Sequence, residues 1–435
     1  MNLGLAWAIM LPPCVTILTD PVRRRGSIEW QSALHAGFRR TTPNRKEVIV
    51  ATYSVALIPG DGIGPEVLRE GKKVMDAVAQ VAGITWNWTE YPFGAEHWLK
   101  HRKGLPTLMS EEDMAGLGKH DAVYFGAVGD PRVPESVEQA GALLWMRFYF
   151  DQYINLRPAK LLRGVASPLA NKKPHDIDIY VVRENSEDFY IGLGARHSGR
   201  QSREVLTLKR ALYQARFSVD IDLEPGDELA YQIGAMTGRG AERVLRYGFE
   251  LAKRKKFTRV TAVHKANVLT KIYGLWLEVA ERVAKEYPGI ELEETIVDAT
   301  AMWLVRRPEW FQVIVAPNMF GDILSDLAAS TVGGMGFAPG GNINPDRKAG
   351  VSMFEPIHGS APKHGGLNKA NPIATILAGK LMLDHLGEER AAALVEQACE
   401  DVLEAGKVRT YDVGGTSSCS AMGDAIAERV LQLKA

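Results

Sequence analysis

Cysteine is scarce. Cys14, Cys399 and Cys419 are the only three in 435 residues, and they lie far apart, without the paired spacing of a zinc site or a small disulfide framework. A thiol-built scaffold is thereby excluded, and a reducing compartment, the cytoplasm, is the expectation. An excess of charge of either sign is missing too. The 52 basic and 52 acidic side chains cancel, so no global field favours nucleic acid or an anionic membrane, and charged ligands have to be met by local clusters. No G-x-x-x-x-G-K-[S/T] phosphate loop occurs, which argues against a metal-dependent kinase or nucleotide hydrolase. The apolar stretch at 1–18 has no basic residue ahead of it and is interrupted by Pro12 and Pro13. That argues against a signal peptide or a spanning helix without excluding either, and residues 1–50 are expected to form a disordered or misassigned extension.

What is present is an alternation. Short apolar runs recur at 54–59 (SVALIP), 122–126 (AVYFG), 177–182 (IDIYVV), 260–263 (VTAV) and 313–316 (VIVA). Between them, 241–253 and 273–287 repeat apolar residues at three- and four-residue intervals, the helical period. This alternation predicts an α/β chain, and with 46% hydrophobic residues it can bury the core of one globular enzyme subunit. The stretch 198–238 mixes charge with short apolar pieces and reads as an arm or insertion. The glycine- and proline-dense 333–345 reads as a long ordered loop or an inter-domain crossing.

Three constellations carry chemistry. In the first, Asp322 and Asp326 follow the run VIVA four residues apart, a spacing that projects both carboxylates from one helix face toward a hard cation such as Mg²⁺ or Mn²⁺. Asp298, after another strand-like run, is a third candidate ligand. An isolated pair at this spacing is ordinarily a solvated helix face, but the apolar neighbours Ile323, Leu324 and Leu327 argue against that. The second is cationic: Arg147, Arg157 and Arg183. Each alone is ordinarily a surface ion pair, but several guanidinium forks at strand ends suit a di- or tricarboxylate. In the third, Lys265 follows the run VTAV, where a side chain enters a cleft. Burial and neighbouring cations can lower a lysine's pKa enough for it to take a proton from a substrate hydroxyl, with Tyr190 as the partner acid.

The turn Gly60-Asp-Gly62-Ile-Gly64 invites a dinucleotide reading, but its third glycine comes one residue early and no acidic residue closes a second strand at the expected distance. A better nucleotide loop is His358, Gly359, Ser360, Ala361, Pro362, Lys363 and His364, whose small residues allow close backbone approach.

Taken together, IPGDGIGPEV, RFYFDQYINLRP, RENSEDFY, HKANVL, APNMFGDILSDL and FEPIHGSAP followed by NKANPIATILAG resemble the isocitrate and isopropylmalate dehydrogenase family, from about residue 54 to the C-terminus. That resemblance implies a two-domain α/β fold of the isopropylmalate dehydrogenase type, distinct from the standard Rossmann fold. It implies a large domain from 51–152 and 334–435, and a small domain from 153–333 with the metal site and a dimer arm. It places the metal aspartates on Asp298, Asp322 and Asp326, the substrate arginines on Arg147, Arg157 and Arg183, and the proton-transfer pair on Tyr190 and Lys265. Asn267 matches a residue beside the nicotinamide, and His358 to Lys363 with Asn371 match the adenosine loop. The implied cofactors are NAD(P) and Mg²⁺ or Mn²⁺. The implied assembly is a homodimer in which Lys265 and Asp298 complete the partner's site, and the implied reaction is oxidation and decarboxylation of a malate-type 2-hydroxy acid.

Two departures refine this. Leu143 and Leu144 stand where isocitrate-type members carry polar residues, which disfavours isocitrate and leaves the 3-isopropylmalate, tartrate and D-malate branches. Lys363 and His364 stand where NAD-linked members carry an aspartate for the 2′-hydroxyl. A lysine there attracts a 2′-phosphate, and Tyr411 also resembles NADP-linked relatives, so NADP is favoured, although the arginine expected after it is Gly415. The rival reading is a non-catalytic regulatory or structural subunit of the same family. The joint presence of the aspartates, arginines, Tyr190 and Lys265 argues against it.

Overall fold

The computed structural model describes residues 51–138 and 142–433, so the extension expected at 1–50 and Cys14 lie outside the described residues. The apolar runs become strands: β1 (Ala51–Gly60), β2 (Ile84–Glu90), β3 (Ala122–Ala127), β4 (Ile154–Lys160) and β5 (Asp178–Glu184). Four strands, β6 (Gly194–Ser198), β7 (Gln201–Lys209), β8 (Gln214–Asp222) and β9 (Glu228–Gln232), follow as separate two-stranded sheets, β6 with β9 and β7 with β8. The last five are β10 (Arg259–His264), β11 (Glu291–Ile296), β12 (Val313–Ala316), β13 (Pro339–Ile343) and β14 (Ser352–Pro356).

Ten of these form one sheet in the order β11-β10-β12-β5-β4-β13-β14-β3-β1-β2. The outer pairings, β1 with β2 and β3, β3 with β14, and β12 with β5 and β10, are parallel. The centre, where β4 meets β5 and β13 and β13 meets β14, is antiparallel. This is not the doubly wound order of a Rossmann sheet. Strands β3, β12, β13 and β14 are buried throughout, as expected where helices cover both faces of a sheet.

The helices follow their sequence signals. Thr237 caps Gly238–Lys255 by accepting from Gly240 N at 3.0 Å, so this helix begins ahead of its apolar pattern at 241–253. Thr270–Ala284 stops short of the expected 287, because Pro288 and Gly289 follow and the ring of Tyr287 turns back to stack on Phe249 at 5.1 Å. Helix Ile373–Leu386 is mostly apolar and almost wholly buried.

One expectation is corrected. The stretch 333–345 is not a long loop, because it contains β13, a buried central strand. Glycine and proline hid it. Pro339 takes the first strand position, where a missing N–H is tolerated, and a Cβ on Gly341 would lie 3.2 Å from Ile343 and Phe354. Among the described residues Cys399 and Cys419 are buried free thiols, and no helix is long and apolar enough to cross a membrane.

Candidate active site

Alternation along β4 sends Leu156 to one face of the sheet and Arg157 to the other. On its face Arg157 donates from Nη1 to Asp322 Oδ1 at 3.1 Å and to Ser325 Oγ at 2.9 Å, while Nε reaches Asn155 Oδ1 at 2.9 Å. Arg183, on neighbouring β5, donates from Nη1 to the same Asp322 oxygen at 2.5 Å and from Nε to Asn318 Oδ1 at 2.9 Å. Arg147, on the short helix Leu144–Tyr149, has Nη2 3.7 Å from Glu355. All three arginines are buried. Tyr190 closes the cluster, donating to Asp322 Oδ2 at 2.8 Å with its ring 4.9 Å from the Arg183 guanidinium. These side chains, with Leu143 and Leu144, line a cavity of about 710 Å³ whose far wall is 356–362.

Electrostatics follow from this crowding. Burial pushes the Arg183 guanidinium down to about 9, with Arg157 adding to the effect, and burial likewise lowers Arg147. Burial pushes Asp322 up, but Arg183 and Arg157 outweigh it and hold the carboxyl below the usual range. Tyr190 is raised, first by burial and then by its bond to Asp322. Arg147 Nε and Arg183 Nη2 are buried without a hydrogen-bond partner. Leaving such donors unpaired is costly, and an oxygen acceptor such as a carboxylate is the chemistry that would satisfy them.

The donor chemistry fits a hard cation in part. Asp322 and Asp326 share helix Asn318–Thr331, both beside Arg157, with Asp326 at 3.6 Å. The reason read from sequence is corrected here: Leu324 is buried, but Ile323 is 60% exposed, so the apolar neighbours do not enclose the pair. Asp298 stands elsewhere. Its carboxylate accepts from Lys265 Nζ at 2.5 Å, which lowers its pKa, and among the described residues no three acidic, histidine or cysteine side chains are placed to hold a metal ion within one chain. Lys265 and the exposed Asn267 are likewise absent from the cavity lining.

The far wall fits a nucleotide. His358, Gly359, Ser360 and Ala361 line it, a Cβ on Gly359 would meet nothing within 4 Å, and His358 Nε2 is buried without a partner. Ser360 Oγ pins the loop to Gly129 O at 2.6 Å. The glycine turn is its support: Ile63 N donates to Ser360 O at 2.8 Å, and a Cβ on Gly62, whose φ is +57°, would lie 2.0 Å from that oxygen. Farther along, Asn371 Nδ2 donates to Asp412 Oδ2 at 2.9 Å. The His364 ring lies 6.2 Å from that of Tyr411, over which Lys369 sits at 5.3 Å, and Lys363 is exposed.

A sequence profile described as isocitrate/isopropylmalate dehydrogenase matches residues 54–426. The chain belongs to the isocitrate/isopropylmalate dehydrogenase family. It is 44% identical over 382 residues to a 3-isopropylmalate dehydrogenase of Thermobifida fusca, covering 88% of this chain and 98% of that one. It is 40% identical over 384 residues to a probable tartrate dehydrogenase/decarboxylase of Bacillus subtilis, covering 88% and 99%. Among solved structures, the isocitrate dehydrogenase of Methylococcus capsulatus superposes with a TM-score of 0.71 at 34% identity, covering 87% of this chain and 100% of that one. The α/β fold of this family, rather than a Rossmann fold, is therefore the fold of this chain.

Within this family member the structure adds residues that motif reading passed over. Glu355 lines the cavity and accepts from Asn342 Nδ2 at 2.6 Å. Its signal was available, since it ends the apolar run leading into His358. Asp61, inside the glycine turn, accepts from Ala95 N at 2.7 Å and Gly129 N at 3.1 Å, and so ties both flanking loops to the turn that supports 356–362. Gly415, where an arginine is expected in NADP-linked relatives, has no room for one: a Cβ there would lie 2.1 Å from Arg409 O.

Proposed function

We propose that the protein is a cytoplasmic, divalent-metal-dependent, NAD(P)-linked dehydrogenase that oxidises and decarboxylates a malate-type 2-hydroxy acid of the 3-isopropylmalate, tartrate or D-malate class. One observation carries this: buried Arg157 and Arg183 both bind Asp322, which Tyr190 also bonds, and buried Arg147 lines the same cavity, whose opposite wall is a nucleotide-type loop. Arg147, Arg157 and Arg183 clamp the two carboxylates of the substrate, which fixes the hydroxyl-bearing carbon. Leu143 and Leu144 face the substituent and favour an apolar or absent one over a third carboxylate. Asp322 and Asp326, joined by Asp298 of a second copy, hold Mg²⁺ or Mn²⁺. When bound, that ion supplies Lewis-acid polarisation of the hydroxyl, and the nicotinamide supplies the hydride acceptor.

The protons belong to the chain. Lys265 of a second copy accepts the proton leaving the substrate hydroxyl. Tyr190 keeps its phenolic proton at neutral pH because its pKa is raised, so after loss of CO₂ it delivers that proton to the substrate carbon. A homodimer accounts for the outward placement of Lys265 and Asp298, near exposed apolar Val268, Met302 and Val305 in sequence, and for exposed Ile323 between the two metal aspartates. His358, Gly359, Ser360, Ala361 and Asn371 hold the adenosine, with Asn267 beside the nicotinamide. Lys363, His364 and Lys369 at the rim favour NADP, since cations attract a 2′-phosphate.

A reduced-cofactor absorbance assay with Mn²⁺ tests the reading. Turnover is expected with one or more of 3-isopropylmalate, tartrate and D-malate and not with isocitrate, while a silent panel with both cofactors would return the chain to a non-catalytic role.

A further inference from the structure

A second cluster of ligating side chains stands away from the aspartates. We propose that His97 and His101 form a two-imidazole site for a borderline divalent transition metal, of the Zn²⁺, Ni²⁺ or Cu²⁺ type, on the helix beside the candidate active-site cavity.

His97 ends helix Ala95–His97, and His101 lies in the π turn Trp98–Arg102 that continues it, so the chain presents two imidazoles four residues apart. Their ring centroids are 5.2 Å apart with planes at 44°. Metal-to-imidazole bonds of about 2.0–2.1 Å at a tetrahedral angle set two ring centroids about 5 Å apart, which the observed spacing meets. A His pair at this interval is the arrangement by which a single helix chelates zinc, and isolated π turns recur at functional positions. Neither ring has a hydrogen-bond or ion-pair partner among the described residues. His97 rests edge-on against Phe93 at 5.6 Å, which restrains its ring. Imidazole donors select Zn²⁺, Ni²⁺ and Cu²⁺, whereas the carboxylates Asp322 and Asp326 select Mg²⁺ and Mn²⁺, so the two sites take different ions.

The helix is anchored to the cavity rim. Ala95 N is held by Asp61 at 2.7 Å, and Glu96 pairs with Arg132 at 2.7 Å. The neighbours of Arg132, Pro131 and Val133, line the candidate active-site cavity. A metal on the pair is thus fixed to the loop that walls the candidate active site, with the remaining coordination positions filled by water.

The test is calorimetric titration of Ni²⁺ into the full-length protein in excess Mg²⁺, which occupies oxygen sites and leaves imidazoles free. Wild type, His97→Ala and His101→Ala are compared, with a circular-dichroism melt confirming that each is folded. The site predicts one Ni²⁺ per chain in wild type, weakened about tenfold or more in each variant because one imidazole loses the effective concentration of two. Equal Ni²⁺ affinity in wild type and both variants would overturn it. The result does not depend on the catalytic reading, since neither substrate nor nicotinamide enters the measurement.

Discussion

Two cavities flank the central sheet, and β4 serves both: Arg157 lines the front one and Leu156 the back one. The back cavity, about 590 Å³, carries four cations and four carboxylates on its lining, so charge alone does not separate it from the front. Satisfaction does. Behind the sheet, the one buried cation is Lys380, and its ammonium lies between Asp384 at 2.9 Å and Glu396 at 3.3 Å. The unpartnered buried atoms there are Glu400 Oε1, an acceptor, and His385 Nε2, on a ring that burial holds down to about 4 and so neutral. In front, buried guanidiniums keep unpartnered N–H groups. A buried cation matched by carboxylates holds a fold together, and the unpartnered N–H groups of Arg147 and Arg183 beside an open cavity suit an anion.

The largest effect expected is at Arg183. Arg183→Gln should lower kcat/KM by about 100-fold or more, the order seen when a preorganised donor is removed, with the loss read by the reduced-cofactor assay. Leu143→Ala comes next. If the substituent is apolar, it should lower kcat/KM for 3-isopropylmalate by roughly 10-fold or more while leaving D-malate nearly unchanged. If D-malate is equally affected, Leu143 does not face the substituent. Lys363→Asp should move cofactor preference by about 10-fold toward NAD, one charge-assisted contact, unless NAD is already strongly preferred.

Glu396→Gln should leave kcat/KM unchanged and act on stability instead. Burial pushes Glu396 up, but Lys380 and Lys160 hold it down at about 2. A carboxyl held below its unfolded value of about 4.3 contributes stability that is full above that pH and is lost as pH falls toward 2. The variant should therefore be less stable than wild type by about 3 kcal/mol at pH 7, with the gap closing between about pH 4 and 2 in denaturant titrations.

How much of this was legible in the sequence depended on whether an element announces itself locally. VIVA reads as a strand and is β12 to the residue, because four consecutive apolar residues need two covered faces. The arginines and Asp322 were legible as residue types, and the structure brings them together across 175 positions of chain. β13 was not legible, since its burial comes from neighbours and its own Gly340 and Gly341 carry no apolar signal. Nor was the exposure of Ile323, whose surroundings no helical period reports. Satisfied and spare donors are likewise set by tertiary packing, so Lys380 and Arg183 look alike in one dimension.

The central claim is that Asp322, clamped by Arg157 and Arg183, anchors a divalent ion together with the hydroxy acid. The direct measurement is Mn²⁺ binding, followed by electron paramagnetic resonance in the presence of 3-isopropylmalate, tartrate or D-malate, for wild type and Asp322→Asn. The account predicts one hydroxy-acid-dependent Mn²⁺ per chain in wild type and its loss in the variant. Undiminished, acid-dependent Mn²⁺ binding in Asp322→Asn would contradict it.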